Sequence, residues 1–132
     1  MMRTLILLLM LVGGTALQAQ ELLQRSYHAN GHLKRTAFTD GAVEYFMEYH
    51  PNGRLAAMGA YRDGLRHGTW KAFDDAGIMR ARAEFDHGRR CGTWEFRDER
   101  DHLRGSLRYV DGRLVSGTST GAADGLVAHR TY

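Results

Sequence analysis

The segment Asp63-Gly64-Leu65-Arg66-His67-Gly68-Thr69-Trp70 returns 24 residues later as His87-Gly88-Arg89-Arg90-Cys91-Gly92-Thr93-Trp94. The same offset carries Leu55 to Met79 to Leu103, Tyr61 to Phe85 to Tyr109, and Gly64 to Gly88 to Gly112, so three copies of one unit lie in tandem. A partial copy precedes them: Tyr27-His28-Ala29-Asn30-Gly31-His32-Leu33 matches Tyr49-His50-Pro51-Asn52-Gly53-Arg54-Leu55, with one residue deleted before Asp40-Gly41. A fixed period of this length marks a repeat architecture, in which each copy buries its apolar face only against its neighbours.

Each unit carries two turn signals. One falls at Asn30-Gly31, Asn52-Gly53 and Ala76-Gly77, the other at Asp40-Gly41, Asp63-Gly64, His87-Gly88 and Asp111-Gly112. Asn-Gly and Asp-Gly supply the positive φ angles of tight hairpin turns, so each unit reads as a pair of strands. Arg100-Asp101 interrupts the first signal in the last copy, and a longer or less ordered turn is expected there.

Between turns the residues alternate. Leu55, Ala57, Gly59 and Tyr61 oppose Arg54, Ala56, Met58, Ala60 and Arg62; Met79, Ala81, Ala83 and Phe85 oppose Arg80, Arg82, Glu84 and Asp86; Leu103, Gly105, Leu107 and Tyr109 oppose Arg104, Ser106, Arg108 and Val110. Period two means strands with one buried face. Gly68 and Gly92 interrupt the returning strands that contain Trp70 and Trp94, which predicts bulges where those strands switch faces. The fold class expected is all-β: an antiparallel meander of stacked β-hairpin repeats, an open single sheet or a solenoid. Each aromatic ring buries about 150–250 Å², at about 25 cal/mol per Å², so a ladder of rings is the main stabilising term.

The chain has 132 residues, 43% of them apolar, 25% charged and 10% aromatic, with a single Cys. That length suits one domain, and the apolar fraction excludes a disordered segment. One Cys forms no internal disulfide. The net charge of +3 argues little for nucleic acid as a partner.

Residues 1–19 read as a secretory signal peptide: Arg3, then the apolar run Leu5 to Val12, then the small residues Gly13, Gly14 and Ala16, with cleavage expected after Ala16 or Ala19. The run falls short of the roughly 18 residues of a membrane span. Residues 20–115 are the repeat domain, and residues 116–132 are expected to be a flexible tail. The mature protein is expected to be exported, periplasmic or secreted, and soluble. Cys91 then faces an oxidising compartment, either inert or paired with another chain.

The residues quoted above, aromatic-x-x-aromatic, Asn-Gly-x-Leu, Gly-x-Tyr-x-Asp-Gly and a basic stretch into Gly-Thr-Trp, resemble the MORN-type repeat, in the variant of bacterial proteins labelled YwqK-like antitoxins. The resemblance covers roughly residues 26–115, with its best copy at Tyr49 to Trp70. It implies an antiparallel sheet of stacked hairpins, no chemistry, and a role in binding proteins or lipid headgroups.

The candidate chemistry is sparse. His28 and His32 flank a turn instead of sharing a helical face, so no metal site is expected there. Cys91 fills the slot of His67 one repeat earlier and reads as a variable position, not a nucleophile. Asp74, Asp75, Asp98, Glu99 and Asp101 cluster at turns, where carboxylates accept backbone hydrogen bonds. Trp70 and Trp94 read as core rings, with stacking on sugars as the alternative. No cofactor, metal or small-molecule substrate is expected. Arg54, Arg80, Arg82, Arg104 and Arg108 lie on equivalent strands facing away from the expected core and form a candidate partner-binding stripe. Arginine forks suit phosphate and carboxylate groups. The expected function is an exported, non-enzymatic module that binds a protein partner through a sheet face. The alternatives are binding to lipid headgroups or an anionic envelope surface, and, third, a small envelope hydrolase.

Overall fold

The computed structural model describes residues 20–120 and 127–131; the expected leader, residues 1–19, lies outside the described residues. Ten strands follow one another: β1 (Glu21–Tyr27), β2 (Leu33–Thr39), β3 (Val43–Tyr49), β4 (Leu55–Arg62), β5 (Leu65–Phe73), β6 (Met79–Asp86), β7 (Arg89–Arg97), β8 (Leu103–Val110), β9 (Arg113–Thr120) and β10 (Val127–Thr131). They pair antiparallel in chain order within one open sheet. The chain is thus the all-β meander of hairpins that the alternation and turn signals predict.

Two kinds of turn build most of it, the turn at Asp40-Gly41 standing apart, since only Gly41 is left-handed and Asp40 N–H donates to Val43 O at 3.3 Å. Asp63-Gly64, His87-Gly88 and Asp111-Gly112 hold positive φ at both residues, as two-residue type I′ hairpins require. The Asn-Gly turns differ, because only the glycine is left-handed. His28 N–H donates to His32 O at 2.8 Å and Gly31 N–H to His28 O at 3.0 Å, which encloses a three-residue loop ending in the left-handed residue. The same pair of bonds recurs from His50 and Gly53, from Asp74 and Gly77, and from Asp98 and Asp101. The turn at Arg100-Asp101 is therefore neither longer nor irregular, contrary to expectation. Asp101 takes the glycine's place at φ 63, which Asp tolerates, and Asp98 caps the loop by accepting from Arg100 N–H and His102 N–H, each at 2.9 Å.

Bulges occur at both predicted glycines, with Gly68 at φ 73 and Gly92 at φ 63. They do not switch the faces. Ala60 faces His67 while Met58 faces Lys71, so two steps along β4 match four along β5. A shift of two residues in a period-two strand preserves the side of every later residue. The same shift separates Glu84–Cys91 from Arg82–Glu95 between β6 and β7.

One face carries the packed rings. The Trp70 indole meets Phe46 at 6.0 Å, Tyr61 at 5.1 Å and Phe85 at 6.4 Å between centroids, and Trp94 meets Phe85 at 5.2 Å and Tyr109 at 5.1 Å. Gly59 makes room for Trp70, because a Cβ there would overlap the indole. A single layer leaves little interior. Only Ala37, Phe85 and Tyr109 are buried hydrophobic residues among the described ones.

The expected tail is strand wherever the structure describes it. Ser116 to Thr120 continue β9, and β10 pairs with them, Val127 opposite Thr120 and Thr131 opposite Ser116. Serine and threonine mask this from an apolar pattern, yet they suit a wet edge of the sheet, and Ser106 and Thr118 share a hydroxyl hydrogen bond at 2.8 Å. Residues 121–126 and 132 lie outside the described residues.

Candidate functional site

The proposed arginine stripe lies opposite the rings, and most of its charge is already occupied. Arg82 pairs with Glu84 at 2.5 Å and reaches Thr93 O at 3.4 Å. Arg104 donates to Asp98 at 2.6 Å. Arg80 donates to Arg97 O at 2.9 Å and lies 3.7 Å from Asp74. Arg54 donates to Ala76 O at 2.5 Å. Arg108 is exposed and makes no ion pair among the described residues. Backbone N–H groups of His102 and Arg100, with the Arg104 guanidinium, hold the Asp98 carboxyl down at about 2.

Other cations stand on the ring face, and the choice of residues by outward alternation missed them. The Arg66 guanidinium lies 5.1 Å from the Trp70 ring centroid and 5.4 Å from that of Phe85. Arg90 repeats this at 5.5 Å from Trp94 and 5.6 Å from Tyr109. Arg35 covers Phe46 at 4.8 Å, but it also pairs with Glu48. Arg66 and Arg90 are exposed and make no ion pair among the described residues. Gly88 N–H donates to Arg66 O at 2.8 Å and Gly112 N–H to Arg90 O at 3.0 Å, so each arginine's backbone is tied to the next repeat's turn. Between them opens a cleft of about 550 Å³ lined by Tyr61, Leu65, Arg66, Phe85, Arg90 and Trp94. The signal was legible as the one basic position repeated four residues before each Trp.

Four of the histidines fall into two groups. His28 Nε2 bonds Tyr49 O at 2.8 Å and His50 Nε2 bonds Phe73 O at 2.9 Å, while Asn30 and Asn52 each donate to the next turn's backbone at 2.7 Å. These side chains tie successive turns together and bring no metal ligands into convergence. By contrast, His67 meets His87, their ring centroids 5.0 Å apart, with Asp86 beside both. Sequence reading missed this group because the two histidines are 20 residues apart, not one repeat of 24. Cys91 is half-buried, and burial, with Glu84 and Asp86 nearby, pushes its thiol pKa up, so it is protonated at neutral pH. Asp74 caps its own turn by accepting from Ala76 N–H and Ile78 N–H, as its place in the sequence implies.

Residues 20–40 match the model of the MORN repeat variant, which supports a MORN-type repeat protein. No curated protein matches the chain. Among solved structures, two crystal structures of TarM are similar in part. One is a mutant of the S. aureus protein in complex with Fondaparinux, alpha-GlcNAc-glycerol and UDP, at 8% identity, and the other is TarM itself, at 9%. Each likeness covers 76% of this chain and 19% of TarM, with a TM-score of 0.38, which carries no argument about function.

Proposed function

We propose that this chain is an exported, non-enzymatic repeat module that binds a protein partner through the ring face of its sheet, with Arg66 and Arg90 as the central contacts. The partner segment that fits is extended and acidic. One observation carries the reading: two exposed guanidinium groups stand over a ladder of rings beside an open cleft, with no carboxylate of the described chain bound to them. A guanidinium fixed on a ring has lost much of its rotamer freedom before a carboxylate arrives, which lowers the entropic cost of binding. The opposite stripe offers less, since Arg80, Arg82 and Arg104 would have to leave partners they already have. MORN-type repeats are commonly protein- or membrane-binding modules and are generally non-catalytic, and the match at residues 20–40 supports the non-enzymatic reading.

The test is crosslinking in native envelope, comparing the wild type with Arg66→Glu/Arg90→Glu and with Arg80→Glu/Arg108→Glu. Loss of a defined crosslinked protein in the first variant alone is the expected result. Loss in the second variant alone moves the interface to the stripe. Salt-sensitive sedimentation with anionic vesicles, in place of any protein crosslink, replaces this reading with headgroup binding.

A further inference from the structure

We propose that His67, Asp86 and His87 form a site for a divalent transition-metal ion of the zinc class, with water completing the coordination. The three side chains each offer one ligand atom, and those atoms all lie within 4.8 Å of one another. Asp86 Oδ1 is 2.6 Å from His87 Nδ1 and 3.8 Å from His67 Nδ1. Tetrahedral zinc with bonds of about 2.0–2.1 Å spaces its ligand atoms by about 3.3 Å, so the first separation opens by about 0.7 Å and the second closes by about 0.5 Å. Rotation of exposed side chains achieves that without moving backbone, since Asp86 and His87 are more than half exposed.

The backbone holds the group in place. Gly88 N–H donates to Arg66 O at 2.8 Å, and each of these residues adjoins one of the two histidines, so this bond extends the β5–β6 pairing, which runs to Gly68–Phe85, out to the β6–β7 turn. His87 occupies the left-handed turn position, at φ 47, that Asp63 and Asp111 fill in the sister turns. The repeat geometry requires a turn residue there and does not require an imidazole. His67 Nδ1 faces His87 N–H at 3.5 Å, a long contact that a metal ion bound at this nitrogen would displace. Two imidazoles and a carboxylate with an open position are a donor set of the borderline metals, not of calcium or magnesium. A bound ion would staple β5 to the following turn.

The experiment is calorimetric titration of the full chain, prepared without a histidine tag, with zinc alone and then with magnesium. One saturable zinc site and no magnesium binding are expected. His67→Ala, His87→Ala and Asp86→Asn should each weaken zinc binding about tenfold or more, while His102→Ala, which removes an exposed histidine beside Asp98, leaves it unchanged. Far-UV circular dichroism checks the fold of each variant, and His67→Gln replaces His67→Ala if the smaller side chain fails to fold. Absence of saturable zinc binding in the wild type, equal loss in His102→Ala, or full affinity in the folded His67 and His87 variants overturns the site.

Discussion

Asp98 shows how one side chain can rescue a turn that lacks its glycine. Its carboxylate accepts from His102 N–H, Arg100 N–H and the Arg104 guanidinium, and these bonds lower its pKa from 3.8 to about 2. A folded-state value below the unfolded one means that the ionised group stabilises the fold above pH 4, and that this contribution is lost as pH falls through about 2. Asp98→Asn keeps an acceptor oxygen but removes the charge. The wild type should therefore exceed the variant in urea midpoint at neutral pH, and the two midpoints should converge between pH 4 and pH 2. Asp40, also held low by backbone N–H groups of Val43 and Ala42, is present in both proteins and cancels in the difference. Parallel curves across that window would mean that the turn does not depend on the ionised carboxylate.

The hairpin is the element whose design the sequence displays most openly. Tandem glycines, the Asn-Gly and Asp-Gly dipeptides and the alternation from Leu55 to Tyr61 predicted the strands, and the ring face followed from them. The bulge was half legible: a glycine marks its place, but the two-residue shift is a matter of pairing between strands, alike at β4–β5 and at β6–β7. The partners of Arg80 and Arg104 were hidden for a similar reason, since Asp74 and Asp98 belong to turns, not to the alternating pattern. Three glycine replacements separate space from backbone conformation. Gly59→Ala drives a methyl into a packed indole and should cost about 3 kcal/mol. Gly68→Ala meets no atom within 4 Å, so only its left-handed φ counts, about 1 kcal/mol. Gly92→Ala carries that strain and also displaces the Glu84 carboxylate, which swings aside and gives up Arg82. It should fall between the other two. Urea unfolding of the three variants gives the order, and a Gly68 variant worse than the Gly59 variant would make backbone conformation, not ring packing, the controlling factor.

At the scale of the whole molecule, an open single sheet has no shared interior for every strand to protect. Phe85 and Tyr109 are buried by neighbouring repeats, while Leu22, Leu23 and Tyr27 on the first edge strand remain about half exposed. Stability of such an array is approximately a sum over units and the interfaces between them. The sharpest consequence concerns removal of one unit. Deleting residues 65–88 joins Gly64 to Arg89, which reproduces the Asp111-Gly112-Arg113 turn and places Tyr61 and Gly59 beside Trp94, as they now stand beside Trp70. Both the face and the register survive, because β7 repeats β5 position by position through its own bulge at Gly92. The shortened chain should fold to the same strand-dominated circular dichroism spectrum and unfold cooperatively in urea at a lower midpoint. Its denaturant slope should fall by about a quarter, in proportion to the surface that the missing unit no longer exposes. Zinc binding should vanish with His67, Asp86 and His87. A deletion protein without cooperative unfolding would mean that the ring ladder acts as one indivisible core and not as a chain of neighbouring contacts.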